Sequence, residues 1–271
     1  MKLLALSTIL FLSHLASAQN CLNLKSQGDV KQYEACLIGE SAQFYNQFSK
    51  EYQQIYDSAI ETCPYFAPAY HAKSVAYLKS GNFIEWKKLI DKAVELDPKE
   101  YLGNRASCRF QFVHDYEGAI KDIEKLTSII DYDIGYTSDG DYHLDIVKAI
   151  CFKQIGNNIK AIQLFDLKLN EKGYTIGLYD YYHLGNLYKE ERMYEEAIKK
   201  YEMQIEINAS AEVYYQIAMA YKGLNDKSTY KKYILESRNL YLKGKKLAGN
   251  YTEYIDNIYL ETISQEIEDG L

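Results

Sequence analysis

Residues 181–201 constrain the fold more than any other stretch. Tyr181, Leu184, Gly185 and Tyr188 fall at i, i+3, i+4 and i+7, which is one stripe of an α-helix. A break follows at Glu191-Arg192-Met193. Tyr194 then opens a second run, with Ala197, Tyr201 and Ile205 on one face. A glycine inside a helix costs ~1 kcal/mol relative to alanine. Gly185 makes sense in that stripe if a missing side chain lets the partner helix come close. Two short amphipathic helices cannot bury both stripes by themselves, so this pair demands neighbours of its own kind stacked in a row.

The neighbours are present as weaker copies. They start near residues 33, 67, 100, 142, 178 and 211, at spacings of 34, 33, 42, 36 and 33. The copy at 67 carries Tyr70, Tyr77, Gly81, Ile90, Ala93 and Pro98, with Trp86 where a small residue is expected. The copy at 100 carries Phe110, Tyr116, Ala119 and Ile123; that at 142 has Ala149, Gly156, Ala161 and Phe165; that at 211 has Tyr214, Ala218 and Tyr221. The long interval places an insertion at Asp131 to Asp141, read as a surface loop.

Tyr181-x-x-Leu-Gly-x-x-Tyr followed by Ala197-x-x-x-Tyr201 resembles the tetratricopeptide-repeat pattern, with tyrosines in the places of its Trp and Phe. The resemblance covers residues 33–243. It implies an all-α fold: a right-handed superhelix, or α-α solenoid, of about six stacked helix hairpins closed by a C-terminal capping helix. The expected repeats are 33–66, 67–99, 100–133, 142–177, 178–210 and 211–243. Residues 19–32 precede them, and 244–271 follow as a capping helix and tail. Within that tail, residues 251–267 read as a helix with Tyr254, Ile258 and Ile263 on one side. Glu253, Asp256, Glu261 and Glu266 fall on the other, polar side.

Residues 1–18 read as a secretory signal. Lys2 supplies the positive start, Leu3 to Leu15 the apolar run, and Ala16-Ser17-Ala18 the small-residue cleavage motif. Cleavage between Ala18 and Gln19 gives an exported chain, periplasmic or extracellular. Ser7, Ser13 and His14 interrupt the run, which is shorter than the ~20 apolar residues of a membrane span. An oxidising compartment permits disulfides among Cys21, Cys36, Cys63, Cys108 and Cys151. If residues 33–66 form one antiparallel pair, Cys36 begins its first helix and Cys63 ends its second. Cys36–Cys63 is then the preferred bridge, with Cys21 to either as the alternative. Cys108 and Cys151 fall mid-helix and read as small core residues.

Composition excludes several function classes. The formal charge of −7 opposes binding to nucleic acid or to an anionic membrane surface. No C-x-x-C, nucleophile elbow or glycine-rich phosphate loop occurs. His71, His114, His143 and His183 are scattered without the i, i+4 partner of a helical zinc site, and read as surface or groove residues. The loop at 131–141 holds four aspartates but fails EF-hand spacing, because Gly135 and Tyr136 stand where a ligand and the glycine belong. It reads as a solvated loop, with a weak cation site as the alternative. Asn208-Ala-Ser and Asn250-Tyr-Thr are glycosylation sequons. No cofactor, metal or catalytic residue is indicated.

What remains is binding. The resemblance implies that first helices line a concave face. The residues left over for it are Asn104, Arg105, Ile146, Tyr179, Tyr182, His183, Asn186, Tyr215, Gln216 and Met219. Tyrosine, 28 of 271 residues, anchors ligands with large area and a hydroxyl at low entropic cost, though each also suits space-filling between helices. The expected function is therefore a non-catalytic scaffold for a protein or peptide. The alternatives are an assembly subunit of an envelope complex and a hydrolase with dispersed residues.

Overall fold

The computed structural model describes residues 21–247 and 253–270. The expected signal, the Ala18/Gln19 cleavage point and the sequon at Asn250 lie outside them. The chain divides after Leu96 into two compact units.

The first unit contains α1 (Cys21–Ser26), α2 (Val30–Glu40), a 3-10 turn, α3 (Lys50–Thr62), α4 (Ala67–Lys79) and α5 (Phe83–Leu96). Asp29 and Ser49 accept the Gln32 and Tyr52 N–H groups and so cap α2 and α3, which relieves amides that have no partner inside the helix. Helix α2 packs on α3 and α4 on α5. Trp86 is buried on α5, so the helix accepts the large residue at that place. Cys21, Ala35, Cys36, Tyr56, Ala59, Cys63 and Phe66 share one core.

The disulfide differs from the preferred pairing. Cys21 bonds Cys36, with Cα atoms 5.6 Å apart, while Cys63 is a buried free thiol. The physical reason is where α2 begins. It starts at Val30, so Cys36 sits well inside the helix rather than at its first turn, and α1 folds back to present Cys21 there. Cys108 and Cys151 are buried free thiols too; burial pushes the Cys108 thiol up to about 12.

The second unit contains α6 (Pro98–Cys108), which runs on into a π-turn at Arg109–Val113, then α7 (Tyr116–Ile129), α8 (Leu144–Gln154) and α9 (Asn158–Leu169). It continues with α10 (Asp180–Glu190), α11 (Tyr194–Ile207), α12 (Ala211–Gly223), α13 (Lys227–Leu242) and α14 (Leu260–Gly270). Helices pack as consecutive pairs, α6 on α7 through α12 on α13, and each pair packs on the next. No strand occurs among the described residues. A Cβ placed on Gly185 would come within 3.0 Å of the Tyr201 ring, so the glycine does admit the partner helix.

From α4 onward, the turn inside each consecutive pair carries one left-handed residue. Gly81 and Gly156 hold it in two pairs; His114, Arg192 and Asn225, with φ of 57°, 60° and 60°, hold it in others. The loop at 131–143 makes one bridge, Tyr136 to His143. Three of its four aspartates face separate partners: Asp133 meets His143, Asp139 meets Thr137 and Asp141 meets Tyr254. The tail departs from its expected form as well. Its helix starts only at Leu260, and residues 253–259 are irregular.

Candidate functional site

The structure brings Ile146, Tyr179, Tyr182, His183, Asn186 and Gln216 to the first-helix side of the second unit, and all six are buried. Gln204 of α11 fixes the start of α10 by accepting the Tyr182 N–H and donating to the Leu178 carbonyl. Asn104 and Arg105 are spent elsewhere. The Arg105 guanidinium grips Asp122 of α7 with two bonds of 2.6 and 2.9 Å, and Asn104 donates to Ser138.

What covers the site is the tail of the same chain. After α13 the backbone turns back across the start of α12, where Lys245 accepts the Ala211 N–H. The buried Glu212 accepts the Leu247 N–H at 3.0 Å, and burial raises its carboxyl above the ordinary value. Residues 253–259 then lie against α8 and α10. The Tyr182 hydroxyl donates to the Asp256 main-chain carbonyl at 2.7 Å. Asn186 Nδ2 donates to the Asp256 carboxylate at 2.9 Å, and Lys153 Nζ reaches the same oxygen at 2.6 Å. His183 Nδ1 lies 3.5 Å from it. Tyr254 donates to Asp141 at 2.6 Å and sets its ring edge-on to Tyr179, centroids 4.8 Å apart. Farther on, Ile263 enters a core with Ala218, Tyr230 and Ile234, beside Tyr215, Met219, Ile258 and Ile267.

Helical periodicity puts Asp256 on the tail's polar side; it faces inward because residues 253–259 are not helical. Burial works against its ionisation, but the His183 contact and the Lys153 ammonium outweigh that and hold the carboxyl well below the ordinary carboxylate range. Its backbone is left-handed, φ 69°, a conformation that aspartate tolerates better than most residues.

Three of the four side chains around Asp256 are each held by a second residue that is not in the tail. Tyr201 donates to Asn186 Oδ1 at 2.7 Å, which turns the amide N–H groups toward Asp256. Glu190 pairs with Lys153 at 3.1 Å. Tyr142 bonds His183 Nε2 at 3.1 Å.

Lys153, Asp256 and Tyr142 were not foreseen as site residues. The only trace of Lys153 in the sequence is a lysine near the end of a first helix. The histidines read as surface or groove residues include two that are closed to solvent: His143 is 2% exposed and His183 1%. Each has an acidic partner, Asp133 and Asp256 respectively.

A tetratricopeptide-repeat model matches residues 67–100 and 181–210. No curated protein matches the sequence. Among solved structures, PilF of Pseudomonas aeruginosa is 18% identical with a TM-score of 0.55, over 84% of this chain and 91% of that one. PilW, described as a widely conserved type IV pilus biogenesis factor, is 13% identical with a TM-score of 0.56, over 84% and 93%. YrrB, described as a tetratricopeptide protein with an unusual peptide-binding site, is 18% identical with a TM-score of 0.51, over 71% and 98%. At such identities the likeness is one of fold. Residues 67–100 and 181–210 match the tetratricopeptide-repeat family, and the succession of packed helix pairs gives the chain the fold of tetratricopeptide-repeat proteins.

Proposed function

We propose that the protein is an exported, non-catalytic scaffold that holds an extended protein or peptide segment across α8, α10 and α12. One observation supports this most: a non-helical length of polypeptide, residues 253–259, already lies there, gripped by main chain and by side chain. A surface that only filled space between helices would not need to grip a peptide carbonyl and a carboxylate together. In this reading residues 33–243 are the repeat domain and 244–271 a tail that occupies its binding face. Export rests on the leader-like residues 1–18 and on the Cys21–Cys36 bridge, which suits an oxidising compartment. No described helix is long and apolar enough to cross a membrane.

The second reading, an assembly subunit of an envelope complex, draws on the fold shared with PilW. One experiment serves both. The chain from Gln19 is used for affinity capture from its own cell envelope, beside a variant carrying Tyr182→Phe, Asn186→Ala and Tyr215→Ala. Loss of a partner by the variant, at unchanged helicity, is expected. Equal capture by both chains rejects the first-helix face and favours the assembly reading, in which other surfaces make the contacts.

A further inference from the structure

The tail does two separable things. Helix α14 covers apolar surface: Ile263 is fully buried against α12 and α13. Residues 253–259 instead bring a carboxylate to a buried ammonium. The Lys153 side chain is 5% exposed, and a buried charge is costly unless it is paired and hydrogen-bonded. Apolar residues would close the fold with less desolvation. Three of the four groups also do not depend on the tail for their aim, since Tyr201, Glu190 and Tyr142 hold Asn186, Lys153 and His183 from the repeat side. That is the arrangement of a prepared site, whose supporting residues keep the contacting ones in place.

We propose that Lys153, His183, Asn186 and Tyr182 form a subsite for an aspartate within an extended segment of a partner protein, and that Asp256 is its intramolecular competitor. The inference rests on the scaffold reading and adds the chemistry of the ligand. The carboxylate belongs to a residue inside a running segment, not to a chain end, because Tyr182 holds the same residue's main-chain carbonyl. A tyrosine two residues before the aspartate fits as well, since Tyr254 packs on Tyr179 and reaches Asp141. The recognised pattern is Tyr-x-Asp. A partner bearing it displaces residues 253–259 while α14 stays docked.

The test uses the full chain and a fluorescein-labelled peptide, Tyr-Thr-Glu-Tyr-Ile-Asp-Asn-Ile-Tyr, which copies residues 251–259. Asp256→Asn weakens the chain's own occupant and leaves the subsite intact. Amide exchange at residues 254–258 is expected to rise in this variant while α10 stays protected; unchanged exchange overturns the role of Asp256. The variant is expected to bind the peptide about tenfold or more tightly than the parent, and a peptide with Asn in place of its Asp about tenfold more weakly. Adding Lys153→Met to the variant, with helicity checked by circular dichroism, should remove that preference. Equal binding of both peptides to Asp256→Asn overturns carboxylate selectivity yet leaves the scaffold reading standing. Absence of binding up to about 1 mM overturns the subsite itself. Failure of the scaffold reading shows separately, as envelope capture indifferent to the face variants.

Discussion

Two residues test the local physics most directly. Gly185 has no room for even a methyl group beside Tyr201. Gly185→Ala gains helix propensity of about 1 kcal/mol, but overpacking a tight core costs typically 1–3 kcal/mol. The variant is expected to melt at a lower temperature, as read by calorimetry; a rise would mean that the Tyr201 ring moves aside freely. Arg192 shows the opposite case. It is exposed and left-handed at φ 60°, where Gly81 and Gly156 stand in equivalent turns. Arg192→Gly relieves a strain of about 1 kcal/mol, less the entropy glycine adds to the unfolded chain. A small gain in denaturation midpoint is expected. The role of Gly185 was legible because its spacing named the stripe. The strain at Arg192 was not, since four different residue types hold the left-handed position of these turns.

At the scale of elements, the first pair and the tail carry the tests. The bridge closes a sequence separation of 15 residues, worth about 3 kcal/mol on the chain-entropy model. Cys21→Ser together with Cys36→Ser should lower the stability of the first unit by a similar amount. Amide exchange in α2 and α3 should report the change, and equal protection would deny the bridge a stabilising role. For the tail the sign of pH dependence follows from Asp256. Its docked carboxyl lies below the ordinary value, so the docked form binds fewer protons than the free tail. The contribution is complete above about pH 4 and declines as pH falls below that. Lys153 on α8, His183, Lys189 and Glu190 on α10, and the tyrosines Tyr116, Tyr182 and Tyr201 are charged or titratable groups around it. The exchange difference at residues 254–258 between the parent and Asp256→Asn should therefore narrow below about pH 4. A constant difference would remove the carboxylate from the explanation.

For the whole molecule, the sequence determined the class of fold and the order of its helix pairs. Apolar spacing is a local property of the chain, and a stripe at i, i+3, i+4 and i+7 leaves a short helix no stable choice but to pair and stack. That Tyr179, Tyr182, His183 and Asn186 share one stripe of helical spacing was legible for the same reason; that all four are buried was not. Only the tertiary structure decided which cysteine met Cys36, because that depended on α2 starting at Val30 and α1 folding back onto it. It alone decided, too, that the first-helix face of the second unit would be covered by the chain's own residues 253–270. The pattern in residues 251–267 is compatible with a helix throughout, and periodicity has no term for a carboxylate drawn out of that helix. Asp256 meets Lys153 across 103 residues of sequence, and an attraction of that range is visible only once the intervening pairs have packed.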